Sequence, residues 1–124
     1  MKEEWRTVTI DKETYENYEV SNFGNVRSLN YRRTKQVHLL KPKQESNGYL
    51  QVDLYKDGKR KVVLVHRLVA YAFLPCEEGK TEINHIDENK QNNHIDNLEW
   101  CDRLHNLEHG TFKKRRVEKL SKKV

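Results

Sequence analysis

The sequence contains no C-x-x-C pair, and its two cysteines, Cys76 and Cys101, stand alone. That absence leaves a zinc ribbon or a disulfide framework without support and points to a reduced chain with two ordinary buried thiols. No apolar run approaches the roughly 20 residues that a membrane span needs, and the opening MKEEWRTVTI lacks the apolar stretch of a secretory signal. A soluble, intracellular protein with no membrane partner is expected. Apolar material is also scarce: 35% of the 124 residues are hydrophobic and another 35% are charged. A sizeable single core is therefore not expected, and extended stretches read as arms that become ordered on a ligand. The length fits one domain or two intertwined small modules, and no internal repeat is visible.

Acidic residues are missing where the basic ones gather. Between residues 27 and 43 stand Arg27, Arg32, Arg33, Lys35, Lys41 and Lys43 with no acid, and residues 112–124 hold seven basic residues, Lys113, Lys114, Arg115 and Arg116 among them, against Glu118 alone. The whole chain carries only +5, so the remainder is acidic and the two basic segments stand out. Such patches suit a polyanion, because each neutralised phosphate releases counterions. A solvated surface and a loose tail are the competing reading.

What is present in the first half is short strands broken by turn chemistry. Strands are predicted over residues 5–10, 18–21 and 26–29, with Asn22-Phe23-Gly24-Asn25 as a tight turn and Asn47-Gly48 as a second one. Leu50, Val52 and Leu54 alternate with Gln51, Asp53 and Tyr55, the period of a half-buried strand. Asp57-Gly58 then turns the chain into residues 61–65, a hairpin whose tip carries Lys59, Arg60 and Lys61. At His66 the period changes: Leu68, Val69, Ala72 and Phe73 fall at helical spacing until Pro75. Residues 83–86 and 98–100 are short strands around an Asn-rich loop, and Asp102 can cap a helix that Gly110 ends. Leu98, Trp100, Leu104 and Leu107 read as core, Trp5 as an anchor of the first strand, and His38 as surface.

Four of the six histidines, and a cluster of asparagines, lie between residues 84 and 109. Asn89, Asn92, Asn93 and His94 read as loop residues that satisfy their own backbone. Asn84, His85, Asn97 and Asn106 differ, because a strand, loop, strand, helix unit would point them inward together. His105 and His109 are four apart and can share a helical face.

The stretches HRLVAYAF, INHIDENKQNNHIDNLEW and HNLEH resemble the HNH endonucleases of phages and their introns, a branch of the ββα-metal (His-Me finger) nucleases. EEWRTVTI, YEVSNFGNVRSL, LLKPK and GYLQVDLYKDGKRK are similar to the NUMOD-type DNA-binding segment that often precedes them. The resemblance implies an α+β fold: short antiparallel strands and a hairpin, then a helix and a ββα-metal motif. It divides the chain into a β-rich DNA-binding segment at 1–65, a nuclease motif at 66–111 and a basic tail at 112–124. It makes His85 the general base, a task suited to a group titrating near neutrality. Asn97 becomes the residue whose amide holds the loop and orients that base, Asn106 a metal ligand, and Asn84 a second ligand at a position where many relatives place aspartate. His105 and His109 can contact metal or phosphate, and Arg67 phosphate.

One divalent ion, Mg²⁺ or Mn²⁺, is implied as cofactor and double-stranded DNA as partner, with the cytoplasm of a bacterial host as the setting if the chain is phage-encoded. Since Asn84 and Asn106 are both neutral, weak metal binding without DNA is expected. The implied activity is metal-dependent hydrolysis of a DNA phosphodiester, one strand at a time, at a short or relaxed site. The alternatives are a non-catalytic DNA-binding protein on the same scaffold and an RNA binder; the oligomeric state is left open.

Overall fold

Val8 and Ile10 are buried while their neighbours Thr7 and Thr9 are exposed, an alternation that gives β1 (Trp5–Ile10) one buried face as it pairs with β2 (Glu13–Ser21) in a hairpin. In the computed structural model, residues 1–76 and 78–102 are described. The helix expected beyond Asp102, with Leu104, His105, Asn106, Leu107 and His109, and the basic residues Lys113, Lys114, Arg115 and Arg116 lie outside the described residues.

A two-residue turn at Asp11-Lys12, both at positive φ (49° and 70°), joins β1 to β2. β3 (Val26–Ser28) and β4 (His38–Leu39) complete a four-stranded antiparallel sheet in the order β1-β2-β3-β4. The β1–β2 register jumps from Thr7↔Glu19 to Val8↔Tyr15, so Glu16, Asn17 and Tyr18 are extra on β2. That bulge sends the Tyr18 hydroxyl to accept from the Tyr55 backbone N–H at 3.0 Å in the next sheet. This second sheet has the order β5-β6-β7, from β5 (Lys43–Gln44), β6 (Leu50–Lys56) and β7 (Lys59–Leu64). Asp57 and Gly58 turn its hairpin at φ 54° and 77°.

The single α-helix among the described residues, α1 (Val65–Phe73), begins directly from β7 and buries Val65, Leu68, Val69 and Ala70. Leu74 is extended at φ −106° and ψ 122°, as a residue before proline must be, and Pro75 ends the helix. Arg6 Nη1 donates to the Ala72 carbonyl at 2.6 Å and its guanidinium lies 4.5 Å from the centre of the Phe73 ring. β1 thereby closes the carbonyl end of α1. β8 (Glu82–His85) and β9 (Leu98–Cys101) pair antiparallel and also pack against α1.

These elements share one contiguous core, from Val8, Val20 and Val26 through Val52 and Leu54 to Leu68, Val69, Ile83, Leu98 and Trp100. The expectation of no sizeable core is thus not met. Individually short strands from both halves of the chain converge on α1, which composition alone does not reveal. The two thiols also part company: Cys101 is fully buried in β9, whereas Cys76 is exposed after Pro75. Burial and the nearby Glu99, Glu82 and Asp102 push the Cys101 thiol up to about 11, so it is inert at neutral pH. Among the described residues no helix is long and apolar enough to cross a membrane.

Candidate active site

β8 and β9 are four residues each and lie in register, with Asn84 opposite Glu99 and His85 opposite Leu98. Residues 86–97 connect them over a distance that a tight turn could close, so the loop has length to spare and folds around its own side chains. Asp87 is its hub. Its carboxylate accepts from the Asn97 amide (2.9 Å), the Asn89 backbone N–H (2.7 Å) and the Asn92 amide (3.0 Å), and those bonds, Asn92's first, hold it below the usual carboxylate range.

Asn97 is buried at the end of a 3₁₀ turn (Ile95–Asn97). Its side chain accepts from Asp87 N–H at 2.9 Å and donates to Asp87 and to the Asn92 carbonyl, each at 2.9 Å. Both ends of the loop are thus tied to one amide. The direct hydrogen-bond partner of His85, however, is Asn93: its Oδ1 lies 2.8 Å from His85 Nε2. Sequence reading placed Asn93 among the loop asparagines that serve only their own backbone, and the structure corrects this, since Asn93 is buried with its side chain on the histidine. An amide oxygen can only accept, so Nε2 carries the proton and Nδ1 the free lone pair.

His85 packs in an aromatic cluster that draws on three parts of the fold. The His66 ring, at the start of α1, lies 5.0 Å away, and Tyr49, from the turn before β6, stands 5.1 Å from His66 and 5.9 Å from His85. Lys90 Nζ lies over the Tyr49 ring at 4.7 Å and donates to the Asn47 carbonyl at 2.8 Å. Burial is the main cause that lowers the His85 pKa below 6.5, with Lys90 adding to it and Asn93 and Asp87 opposing it. His85 is therefore neutral at pH 7.

Sequence reading gave His66 no role; its place at a helix start, with no motif of its own, carried no signal. Burial, then the charges of His85 and Arg67, lowers its pKa to about 3. The folded state holds His66 neutral while the unfolded chain binds a proton below about 6.5, so stability present above that pH is lost as pH falls toward 3. The slope expected from this group approaches about 1.4 kcal/mol per pH unit. Urea unfolding between pH 7 and pH 4 should show it, and His66→Phe should flatten it; an equal slope in the variant would assign the acid sensitivity elsewhere.

Asn84 is buried beside His85, and its Nδ2 donates to Glu99 Oε2 at 2.8 Å. The amide oxygen is then the end left for a ligand, and an oxygen donor suits a hard divalent cation such as Mg²⁺ or Mn²⁺. The residues present fit such an ion, with Asn106 outside the described part. Among the described residues no group of three or more His, Cys, Asp or Glu converges as a metal cage.

The basic residues singled out from sequence fall on three surfaces. Arg32, Arg33 and Lys35 are exposed around a 3₁₀ turn (Tyr31–Arg33), all at positive φ, and Arg32 and Arg33 line a groove of about 640 Å³ with Tyr55 and Lys56. Lys41 and Lys43 border a second groove with His38 and Gln51. Lys59, Arg60 and Lys61 are exposed at the hairpin tip, and Arg67 is half-buried in α1. Arg27 is engaged within the protein: Nε and Nη2 both reach Glu19 Oε1 (2.9 and 2.6 Å), and its guanidinium lies 4.0 Å from the centre of the Trp5 ring.

The N-terminal half reaches the β8–β9 loop through the Asn22–Asn25 turn between β2 and β3. Asn22 accepts from Ile95 N–H at 2.8 Å, Phe23 stacks on His94 with centroids 4.9 Å apart, and Gly24 abuts Asn93.

Residues 3–55 match the family model of the NUMOD4 motif and residues 63–108 that of an HNH endonuclease. DNA endonuclease I-HmuI of Bacillus phage SP01 is 36% identical over 96% of this chain and 66% of its own length. An uncharacterized HNH endonuclease, L245, of Acanthamoeba polyphaga mimivirus is 38% identical over 78% of this chain and 28% of its own, and H-N-H endonuclease F-TflII of Escherichia phage T5 is 40% identical over 68% and 42%. The solved structure of DNA binding and cleavage by the HNH homing endonuclease I-HmuI superposes with a TM-score of 0.74 at 36% identity, covering 95% of this chain and 62% of that one. The chain thus spans between about a quarter and two thirds of the length of these curated relatives. It belongs to the HNH endonucleases, with a NUMOD4 motif ahead of its HNH segment.

Proposed function

We propose that the chain is a divalent-metal-dependent endonuclease that hydrolyses phosphodiester bonds of double-stranded DNA, one strand at a time. The observation that carries this reading is His85: neutral, buried, with Nε2–H fixed on Asn93 and the Nδ1 lone pair available as a base. Nδ1 takes a proton from a water molecule as its oxygen attacks phosphorus, and the bond to the leaving sugar oxygen breaks. Asn93 accepts from the imidazolium that forms and stabilises it, and the Asp87–Asn97 pair keeps the loop in place through the step. An ion held by Asn84 and Asn106 would supply positive charge against the phosphate and the leaving oxygen. Binding falls to the exposed Arg32, Arg33, Lys35, Lys41, Lys43 and the hairpin tip, whose contacts go mainly to phosphate. A single base per chain makes a nick the natural product. The relatives named as DNA endonucleases support the substrate.

Incubation of supercoiled plasmid with the full chain in Mg²⁺, Mn²⁺ or EDTA tests this. The expected result is metal-dependent conversion to the open-circular form. DNA bound but left intact in every metal would instead indicate a binding module on the same scaffold.

A further inference from the structure

We infer that Glu99 is a positioning residue for the metal site: it fixes the Asn84 amide with its oxygen toward the ion and supplies the negative charge that this neutral ligand lacks. The inference rests on the metal-dependent reading above.

Asn84 and Glu99 face each other directly across the β8–β9 ladder, so their side chains share one face of the strand pair. The Asn84 amide is buried and has two ends of nearly equal shape, of which only the oxygen can bind a cation. Glu99 decides between them. An ionised carboxylate can only accept, and at 2.8 Å it takes the Nδ2 end; a flipped amide would set two acceptors against each other. With Nδ2 held, Oδ1 is the end left for the ion. Glu99 also places a full negative charge one hydrogen bond behind the ligand, where it polarises the amide and raises the electron density on its oxygen. Aspartate at position 84 would bring that charge itself; here the asparagine and the glutamate share the task. Outer partners of this kind commonly govern metal affinity by 10- to 100-fold.

The test is a titration of the full chain with Mn²⁺ in the presence of a short phosphorothioate DNA duplex, read by the loss of the free-ion EPR signal, so that turnover plays no part. Glu99→Gln keeps the shape and removes the charge, and should weaken Mn²⁺ uptake by about 10- to 100-fold without changing DNA affinity in EDTA. Asn84→Asp added to Glu99→Gln should restore uptake to within a few fold of the original, since the aspartate carries the charge and the glutamine can donate to it. Uptake by Glu99→Gln within twofold of the original overturns the inference. So does failure of the double variant to recover, which would show that Glu99 holds the ion directly. Should Glu99→Gln alone not fold, the double variant carries the test, because it is expected to fold and to bind Mn²⁺. If the unaltered chain takes up no Mn²⁺, the metal-dependent reading falls and the inference with it, an outcome distinct from uptake that is indifferent to Glu99.

Discussion

Replacing His85 with alanine is expected to lower DNA cleavage by about 10²- to 10⁴-fold, the usual contribution of a positioned general base, while DNA affinity stays within a few fold. The imidazole is buried against His66 and Tyr49, so its removal should alter chemistry more than binding. Asn93→Ala supplies the companion measurement. It leaves Nδ1 in place but removes the acceptor that fixes the tautomer at 2.8 Å, so a smaller loss in kcat with little change in KM is expected. Single-turnover nicking rates alongside filter-binding affinities would separate these outcomes. Collapse of affinity in His85→Ala would make the residue a structural support of the β8–β9 loop and remove the base from the proposed mechanism.

Much of the strand pattern was legible because alternation survives in the sequence. Trp5–Ile10 is found as expected, and β6, β7, α1, β8 and β9 lie within a residue or two of their predicted places. What was missed has local causes. β2 starts at Glu13 rather than Tyr18 because the three-residue bulge at Glu16–Asn17–Tyr18 breaks the period of two. β4 and β5 are two residues each, exposed, and drawn from a segment whose composition says only that it is basic. Their pairing is decided by β3 and β6, which is tertiary information.

The site divides in the same way. Asn84, His85 and Asn97 stood out because a strand, loop, strand, helix unit would point them inward together. Asn93 did not, since an asparagine that turns the chain and one that turns inward to a histidine look alike in sequence. Glu99 was passed over within Leu98-Glu99-Trp100, where its neighbours announce core. Tyr49 and His66 are contributed from residues 36 and 19 positions before His85, and no spacing rule links them; only the packing of the turn before β6 against the start of α1 brings the three rings together.

The Asn22–Asn25 turn offers the sharpest test of how far the N-terminal half supports the catalytic loop. Gly24 has φ +90°, and a Cβ added there would lie 2.9 Å from Asn93 Cβ and carbonyl oxygen and 3.0 Å from its carbonyl carbon. Two of those three atoms are backbone, so no side chain can swing aside. The turn cannot retreat easily either: Ser21 Oγ accepts from Phe23 and Asn25 N–H at 3.1 Å each, and the Asn22 side chain bridges Glu4 N–H and the Lys2 carbonyl. Gly24→Ala therefore combines a disfavoured backbone angle with an overfilled contact and should destabilise the fold by about 2–3 kcal/mol. The larger effect is expected in catalysis. Displacing Asn93 moves the acceptor that holds His85, and a misplacement of about 1 Å can cost on the order of 100-fold in rate. Cleavage measured well below the unfolding midpoint distinguishes the two consequences. A lowered midpoint with an unchanged rate would mean that the loop shifts as a rigid piece and carries His85 with it; a rate loss in the folded protein would make the β2–β3 turn part of the machinery that sets the base.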